Sequence, residues 1–426
     1  MAHVVTCFLR HRGAVLLVRR SDEVGTYPGR WGGVSGYVEG DPADADVDAR
    51  RELREETGVT DATLVRAGDP LELVDGDREW TVHPFLFESS ARDRPAVTPN
   101  AELAAVEWVS PPAIRERATV PGLWEAYRRV APTVETVRDD ETHGSAWISR
   151  RALDVLRDEA AVADDWAAVA AVARDLRTAR PSMAAVENRV NRVLSTADRT
   201  PDAVGRAAET AIEAAGDAGD EAAATAAACL SGTVATLSRS GTALSALLAA
   251  RPAVVVGESR PAREGVGVAE RLAAAGLDVT LTTDAGLCAA VGGNDALGGS
   301  DAAGSDAVDE GVDAVLVGAD AVLADGSVVN KVGTRALSLA AARADVPVYA
   351  VAAAAKIRPD ERMHGESGDP AAVYGGDADV SVSNPVFDRT PADLVTGVVT
   401  ERGVLDAEDV AAVAAEHRRH AAWDDV

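Results

Sequence analysis

The apolar positions of this chain keep three different periods, and each period predicts a different kind of structure. Val4–Leu9 and Ala14–Arg19 are short strand-like runs joined through His11-Arg12-Gly13, the pattern of a hairpin. A Gly-rich turn region, Gly29 to Gly40, leads into a helix predicted from about Pro42 to Thr57, with Gly58 stopping it in the C-cap position. Strands over Leu71–Val74, Glu79–Glu88 and Ala105–Val109, then a helix through Trp124 and Tyr127, complete a mixed α+β module. From about Ser145 to Ala228 the spacing of Leu, Val and Ala is three and four, which predicts helix throughout. Beyond it, β-rich runs (Val254–Val256, Val279–Thr282, Ala314–Val317, Val346–Val351, Val380–Val382) alternate with Ala-rich helical stretches. That alternation predicts βα units in a Rossmann-like α/β domain with a parallel, doubly wound sheet. Residues 292–311 are Gly, Ser, Asp and Ala without a period, and read as a disordered surface insertion.

Composition sharpens the boundaries. Ten of the sixteen Trp, Tyr and Phe precede residue 130, so two cores of different material are expected, joined near Ala131–Asp140. The division expected is an α+β domain over 1–132, a helical subdomain over 133–235 and the α/β domain over 236–426. With 42 Lys plus Arg against 69 Asp plus Glu, the net charge of -27 excludes bulk coating of nucleic acid or anionic membrane. Lys331 and Lys356 are the two lysines among those cations, and the rest are arginines. Such an acidic, lysine-poor, alanine-rich chain resembles proteins of a high-salt cytoplasm, as in a halophilic archaeon. Cys7, Cys229 and Cys288 lie far apart with no CxxC pair, which fits reduced thiols. No leader-like start and no long uncharged apolar run is present, so a soluble, cytoplasmic protein is expected.

The densest local chemistry is Arg51-Glu52-Leu53-Arg54-Glu55-Glu56-Thr57-Gly58-Val59. On a helix Glu52, Glu55 and Glu56 stand at i, i+3 and i+4, so three carboxylates share one face. Like charges so placed repel unless a cation lies among them, and a hard divalent ion, Mg²⁺ or Mn²⁺, suits oxygen ligands and a substrate diphosphate. The alternative is a solvated acidic face balanced by Arg50, Arg51 and Arg54. Trp31-Gly32-Gly33-Val34-Ser35-Gly36-Tyr37-Val38-Glu39-Gly40 precedes this helix, and Val106-Glu107-Trp108-Val109-Ser110 follows it. Together these segments resemble the Nudix hydrolases, whose box pairs a glycine loop with an Arg-Glu-hydrophobic-x-Glu-Glu-x-Gly-hydrophobic helix. The resemblance covers roughly residues 3–130. It implies Glu52 as metal ligand or base, Glu55 and Glu56 as metal ligands, and Gly36 as the loop glycine. The first half of the box departs from the family, because Asp41 comes one residue early after Gly36 and two residues too far from Arg51. Asp41 or Glu39 substitutes for the missing glutamate, or Asp41 is the helix N-cap before Pro42.

The second half of the chain carries four further segments. Val255-Val256-Gly257-Glu258-Ser259-Arg260-Pro261 sits at a strand's C-terminal end, where open α/β sheets bind ligands, and Arg260 suits phosphate or carboxylate. Val317-Gly318-Ala319-Asp320 places Asp320 at the same rim. Val329-Asn330-Lys331-Val332-Gly333-Thr334 opens a helix whose backbone N–H groups are positioned for an anion. Ser383-Asn384-Pro385-Val386-Phe387-Asp388-Arg389-Thr390-Pro391 precedes the last helical region. Each segment alone reads as a cap or turn, whereas the set at successive strand ends points to a phosphorylated ligand. These segments resemble the initiation factor 2B α/β/δ family, which includes ribose-1,5-bisphosphate isomerase and methylthioribose-1-phosphate isomerase. The likeness runs from about Thr142 to Gly403 and includes Arg180-Pro181-Ser182-Met183, similar to the family's Arg-Pro-Thr loop.

By that resemblance Asp320 matches the isomerases' aspartate, while Ser238, within Thr236-Leu237-Ser238-Arg239-Ser240, takes the place of their cysteine. A hydroxyl is a far weaker acid than a thiol, so Ser238 lacks the means for proton transfer without an activating neighbour. Arg180, Ser238, Glu258, Arg260, Asn330, Lys331 and Lys356 are the expected contacts to a phosphosugar or nucleotide. The leading expectation is a Mg²⁺-dependent hydrolase of nucleoside-diphosphate-linked compounds joined to a phosphosugar- or nucleotide-binding module. The alternatives are a translation-factor-like binding subunit and a sugar-phosphate isomerase with serine replacing cysteine. The family likeness further implies a homodimer or larger assembly through the second domain.

Overall fold

The computed structural model describes residues 2–89, 91, 93–292 and 311–425. Two compact units emerge: Met1–Val137 with Arg151–Val172 and Asp198–Glu213, and Arg138–Arg150 with Ala173–Ala197 and Ala214–Val426.

The first unit is built on an eight-stranded mixed sheet. Strands β1 (Ala2–His11) and β2 (Ala14–Arg20) form the expected hairpin, followed by β3 (Trp31–Gly32), β4 (Val34–Tyr37), β5 (Ala62–Ala67), β6 (Leu71–Asp75), β7 (Arg78–Ser89) and β8 (Leu103–Val109). Their main order is β3-β2-β1-β7-β5, with β4 also on β1, β6 on β7 and β8 on β2. Side chains alternate across β1: Cys7 and Leu9 join Ala49 and Leu53 of helix α1 (Ala45–Thr57), while Phe8 joins Leu123 and Tyr127 of helix α2 (Leu123–Val130). Strands β3 and β4 fall inside the stretch read as a Gly-rich turn, and β5 lies where no strand was expected. Both departures have one cause, since short strands carried by pairing to long neighbours leave little periodic signal of their own.

A buried ionic network lies within the same unit. Arg10 pairs with Glu88 at 2.8 Å, Arg151 with Asp154 at 2.9 Å, and Arg157 with Asp154 at 3.1 Å and Asp158 at 2.8 Å. The Tyr127 hydroxyl donates to Asp158 at 2.7 Å, and Arg157 donates to the Gly13 carbonyl at 2.9 Å.

The helical stretch consists of α3 (Val134–Arg138), α4 (Ser145–Ala160), α5 (Trp166–Ala179), α6 (Ala184–Thr196) and α7 (Pro201–Ala228). The second unit then carries a seven-stranded sheet. Its strands are β9 (Thr233–Leu237), β10 (Ala253–Gly257), β11 (Val279–Thr282), β12 (Ala314–Gly318), β15 (Val348–Val351), β17 (Gly397–Thr400) and β18 (Gly403–Leu405), in the order β11-β10-β9-β12-β15-β17-β18. All neighbours are parallel except the last pair. Alternate residues feed two cores: Ala235, Val255, Val315 and Ala350 one, Val234, Val254, Leu316 and Val351 the other. Strands β13 (Ala321–Val322), β14 (Val328–Lys331) and β16 (Phe387–Thr390) form a small antiparallel sheet. The remaining helices are α8 (Gly241–Ala250), α9 (Glu264–Ala274), α10 (Asp284–Ala290), α11 (Thr334–Arg343) and α12 (Ala407–Ala421).

Two expectations are corrected. Val380–Val382 is not a strand: Val380 is 52% exposed, so nothing buries the ladder such a run would need, and β17 takes the next sheet position. Thr233–Leu237, unrecognised as a strand, is central to the sheet. The insertion expected over 292–311 lies, apart from its two end residues, outside the described residues.

Candidate active site

Strand β4 lies antiparallel to β1, with Ser35 opposite Thr6 and Gly36 opposite Val5, and α1 packs across it. Helix α1 ends where expected: Gly58 is left-handed at φ 72 and donates its N–H to the Arg54 carbonyl. This packing separates the three carboxylates. Glu56 is only 4% exposed and accepts the Ser35 N–H at 3.3 Å. Burial pushes its pKa up to about 8, Glu52 and Glu102 add to the rise, and the Ser35 N–H and Arg20 oppose it. Glu52 is half-buried, and burial raises its pKa while Arg51 holds it down. Glu55 stays exposed. A Cβ on Gly36 would stand 2.0 Å from Glu52 Oε1, so any other residue there would displace the Glu52 carboxylate.

Arg51 is the cation among these acids. Its guanidinium lies 2.8 Å from Asp48, 2.9 Å from Glu52 and 3.5 Å from Glu39 and Glu55. Asp41 caps the short turn Pro42–Asp44 by accepting the Ala43 N–H at 3.0 Å, the capping role weighed for it. The carboxylate that sequence reasoning missed is Asp48, buried and bound to the Glu39 N–H at 3.2 Å. Its place four residues before Glu52 was the available signal.

A cavity of about 520 Å³ opens over this face. Its lining includes Glu23, Glu39, Glu52, Glu55, Asp75 and Glu102 against Arg20 and Arg51. Arg20 is committed to the Thr26 carbonyl at 2.8 Å and Ser35 Oγ at 3.1 Å. An anionic ligand therefore meets an acid excess, which a hard cation with oxygen ligands would relieve. Among the described residues no three His, Cys, Asp or Glu side chains are arranged to hold a metal ion, and Arg51 stands between Glu52 and Glu55.

In the second unit the rim at the strand ends is tied together by short polar contacts. Ser238, at φ 75, donates its N–H to Ser259 Oγ at 2.7 Å. The N–H groups of Ser259 and Arg260 both reach Asp284 at 2.7 Å. Arg260 donates to the Ala372 carbonyl and lines a cavity of about 250 Å³ with Gly333 and Asn384. Glu258 pairs with Arg263 at 3.1 Å. Arg180 donates to the carbonyls of Arg138 and Asp140, so it is engaged by backbone.

Asp320, Lys331 and Lys356 do come together. Burial raises the Asp320 pKa, while Lys356 and Lys331 draw it down and Glu366 and Glu264 push it up. Lys356 donates to the Ala319 carbonyl at 2.6 Å, and burial lowers its pKa. Lys331 pairs with Glu264 at 3.1 Å, and Asn330 donates to Thr334 Oγ1 at 3.0 Å. Arg189, unrecognised in the sequence, is buried on α6 and donates to Ser149 Oγ at 2.7 Å. Burial lowers its pKa to about 10, helped by Arg150, and it also lowers that of Lys356. An arginine on the apolar face shared by Val186, Val190 and Val193 was the visible signal.

One expectation fails here. The N–H groups opening α11 are not presented to a ligand, because the Asp388 carboxylate takes those of Gly333 at 2.8 Å and Arg335 at 3.2 Å. A carboxylate already caps that helix start, which removes the reason for a second anion.

Comparison with known proteins matches residues 1–130 to the NUDIX domain and residues 141–407 to the initiation factor 2 subunit family. Ribose 1,5-bisphosphate isomerase of Haloferax volcanii is 34% identical over 166 residues, 37% of this chain and 46% of that protein. Methylthioribose-1-phosphate isomerase of Geobacillus kaustophilus is 33% identical over 193 residues, 42% of this chain and 50% of that protein. The chain thus spans about half the length of the relatives it matches. Among solved structures, the translation initiation factor eIF-2B of Pyrococcus horikoshii OT3 superposes with a TM-score of 0.51 at 24% identity, covering 64% of this chain and 94% of that one. The 5-methylthioribose 1-phosphate isomerase of the same organism gives 0.50 at 22% identity, covering 74% and 90%. Those two superpositions speak to the fold. With well over half of its residues matched, the chain belongs to the initiation factor 2 subunit family and carries a NUDIX domain in its first 130 residues.

Proposed function

We propose that the NUDIX domain is a Mg²⁺- or Mn²⁺-dependent hydrolase of nucleoside-diphosphate-linked compounds, and that the second domain binds a phosphosugar or nucleotide. The observation that carries the first reading is the cavity of about 520 Å³ whose carboxylates outnumber its guanidinium groups beside Glu52, Glu55 and Glu56. Those three glutamates would hold the cation, which supplies charge neutralisation of phosphoryl oxygens and a more acidic bound water. Glu52, with its pKa raised by burial, is suited to accept the proton of the attacking water. Glu56 accepts the Ser35 N–H, a contact that fixes the position of the carboxylate proposed as the third ligand. Gly36 leaves the Glu52 carboxylate room to work. Arg51, which lies among these carboxylates, would be placed to meet two oxygens of a substrate diphosphate.

The second domain is read as a binding module because Asp320 lies within electrostatic reach of Lys331 and Lys356, while Ser238 stands where the isomerases carry cysteine. The raised pKa of half-buried Asp320 favours a second reading, sugar-phosphate isomerisation. The purified protein in molar KCl with Mg²⁺ is to be screened against ADP-ribose, dinucleotides and nucleoside triphosphates, alongside Glu55→Gln. Hydrolysis that is absent, or indifferent to the substitution, rejects the hydrolase. Ribose-1,5-bisphosphate added to wild type and Ser238→Cys tests the isomerase, and a melting-temperature rise without turnover supports binding alone. The domain limits 1–132, 133–235 and 236–426, and assembly through the second domain, are part of the same proposal.

A further inference from the structure

Lys356 is carried by a turn that is otherwise alanine, so the turn cannot hold itself in place. It follows β15 as Ala352-Ala353-Ala354-Ala355-Lys356-Ile357, and Ala354–Lys356 is a single 3₁₀ turn. Ala354 is buried and Ala355 half-buried, so the backbone polar groups here need partners from elsewhere in the fold. Three side chains supply them. Asn188 of α6 donates through Nδ2 to the Ala355 carbonyl at 2.9 Å and the Ile357 carbonyl at 2.8 Å. The Glu401 carboxylate, between β17 and β18, accepts the Ala354 N–H at 2.9 Å. His417 of α12 meets the Ala354 carbonyl at 3.1 Å, and because a carbonyl only accepts, Nε2 carries the proton. Asn188 and His417 are 2% and 4% exposed, too buried to touch a ligand themselves.

The same segment reaches the rim at the strand ends. Lys356 Nζ donates to the Ala319 carbonyl at 2.6 Å, the Arg358 N–H to the Val322 carbonyl at 2.7 Å, and the Arg358 guanidinium to the Pro181 carbonyl at 3.1 Å. One ammonium donor is spent on Ala319, the neighbour of Asp320, and half-buried Lys356 keeps the others for Asp320 and a ligand. The ammonium rides on a flexible four-carbon stem, so what restricts it is the turn that bears it together with the Ala319 contact. Resting on the reading of Asp320 and Lys356 as contacts to a phosphosugar or nucleotide, we infer that Asn188, His417 and Glu401 are positioning residues. They fix the turn so that the Lys356 ammonium is held at Asp320, and thereby set how tightly the second domain grips an anionic ligand. Side chains that only satisfied buried backbone would affect stability without a specific loss at Lys356.

The test uses the full chain with ribose-1,5-bisphosphate as probe. In calorimetry, Asn188→Leu and His417→Leu should each raise Kd about ten-fold, the scale of one charge-assisted hydrogen bond, and add no further loss in a Lys356→Gln background. Because Lys331 and Lys356 are the two lysines, labelling lysine with ¹⁵N at Nζ gives one side-chain signal for each, told apart by Lys331→Arg. The Lys356 signal should move toward that of free lysine in both Leu variants while the Lys331 signal stays in place. His417→Gln, which keeps a donor near Nε2, should restore both readouts. Glu401→Ala, at a partly exposed position, takes the place of any Leu variant that fails to fold. Losses that add in the Lys356→Gln background, or an unmoved Lys356 signal in folded variants, overturn the inference. A Lys356 signal that moves although wild type binds no ribose-1,5-bisphosphate keeps the positioning of Lys356 and rejects the phosphosugar reading.

Discussion

Replacing Glu56 by glutamine should stabilise the metal-free protein at alkaline pH and leave it unchanged in acid. In the fold the Glu56 pKa is about 8 against an ordinary 4.5, because burial disfavours the charged form. Below about pH 4.5 the group is protonated whether the chain is folded or not, so it contributes no penalty there. As pH rises, the unfolded chain ionises first, and stability falls by about 1.4 kcal/mol per pH unit until the folded carboxyl ionises near pH 8. The ceiling of that loss is roughly 5 kcal/mol. For a unit of this size each kcal/mol moves Tm by about 2–4 °C, so a difference on the order of 10 °C is expected at pH 8.5. The measurement is Tm from pH 5 to 9, in EDTA, for wild type and Glu56→Gln. The two curves should converge near pH 5 and separate steadily above it. Mg²⁺ at pH 8.5 should then raise wild type more than the variant, since a cation beside Glu56 favours its ionised form. A difference that is equal at pH 5.5 and 8.5 refutes the argument that burial governs this carboxyl.

Asp154→Ala removes the carboxylate shared by Arg151 and Arg157, leaving buried guanidinium groups short of counter-charge, at a cost of about 3–5 kcal/mol. Calorimetry should show the transition of the first unit falling by roughly 10 °C. Gly36→Ala places a methyl on the Glu52 carboxylate, so hydrolysis should drop sharply while circular dichroism is retained; full activity would show that the close approach is dispensable. Asp388→Ala uncaps α11 and should cost about 1 kcal/mol in denaturant melts, with added phosphate recovering part of the loss.

Much of the frame was legible because its causes are local. The helix of Glu52, Glu55 and Glu56 follows from spacing alone, as does its end at Gly58, and the βα alternation announced a parallel sheet. Lysine scarcity drew attention to Lys331 and Lys356, and the fold brings both to Asp320. Strands that depend on partners were harder to see. Thr233–Leu237 looks unremarkable in sequence, yet it is an inner strand paired on both sides, and Val380–Val382 looks like a strand but pairs with none among the described residues.

What the sequence determined by itself was which residues share a helix face, because that depends only on the helical repeat. Three acids at i, i+3 and i+4 meet on one side wherever the helix goes. Only tertiary structure made them unequal. Packing on β4 buries Glu56, leaves Glu52 half-covered against Gly36, and exposes Glu55. It likewise set Asp388 on the α11 start that spacing had offered to a ligand. Burial and counter-charge come from residues far away in the chain, so the chemistry of each carboxyl is decided by the fold, while its address is written locally.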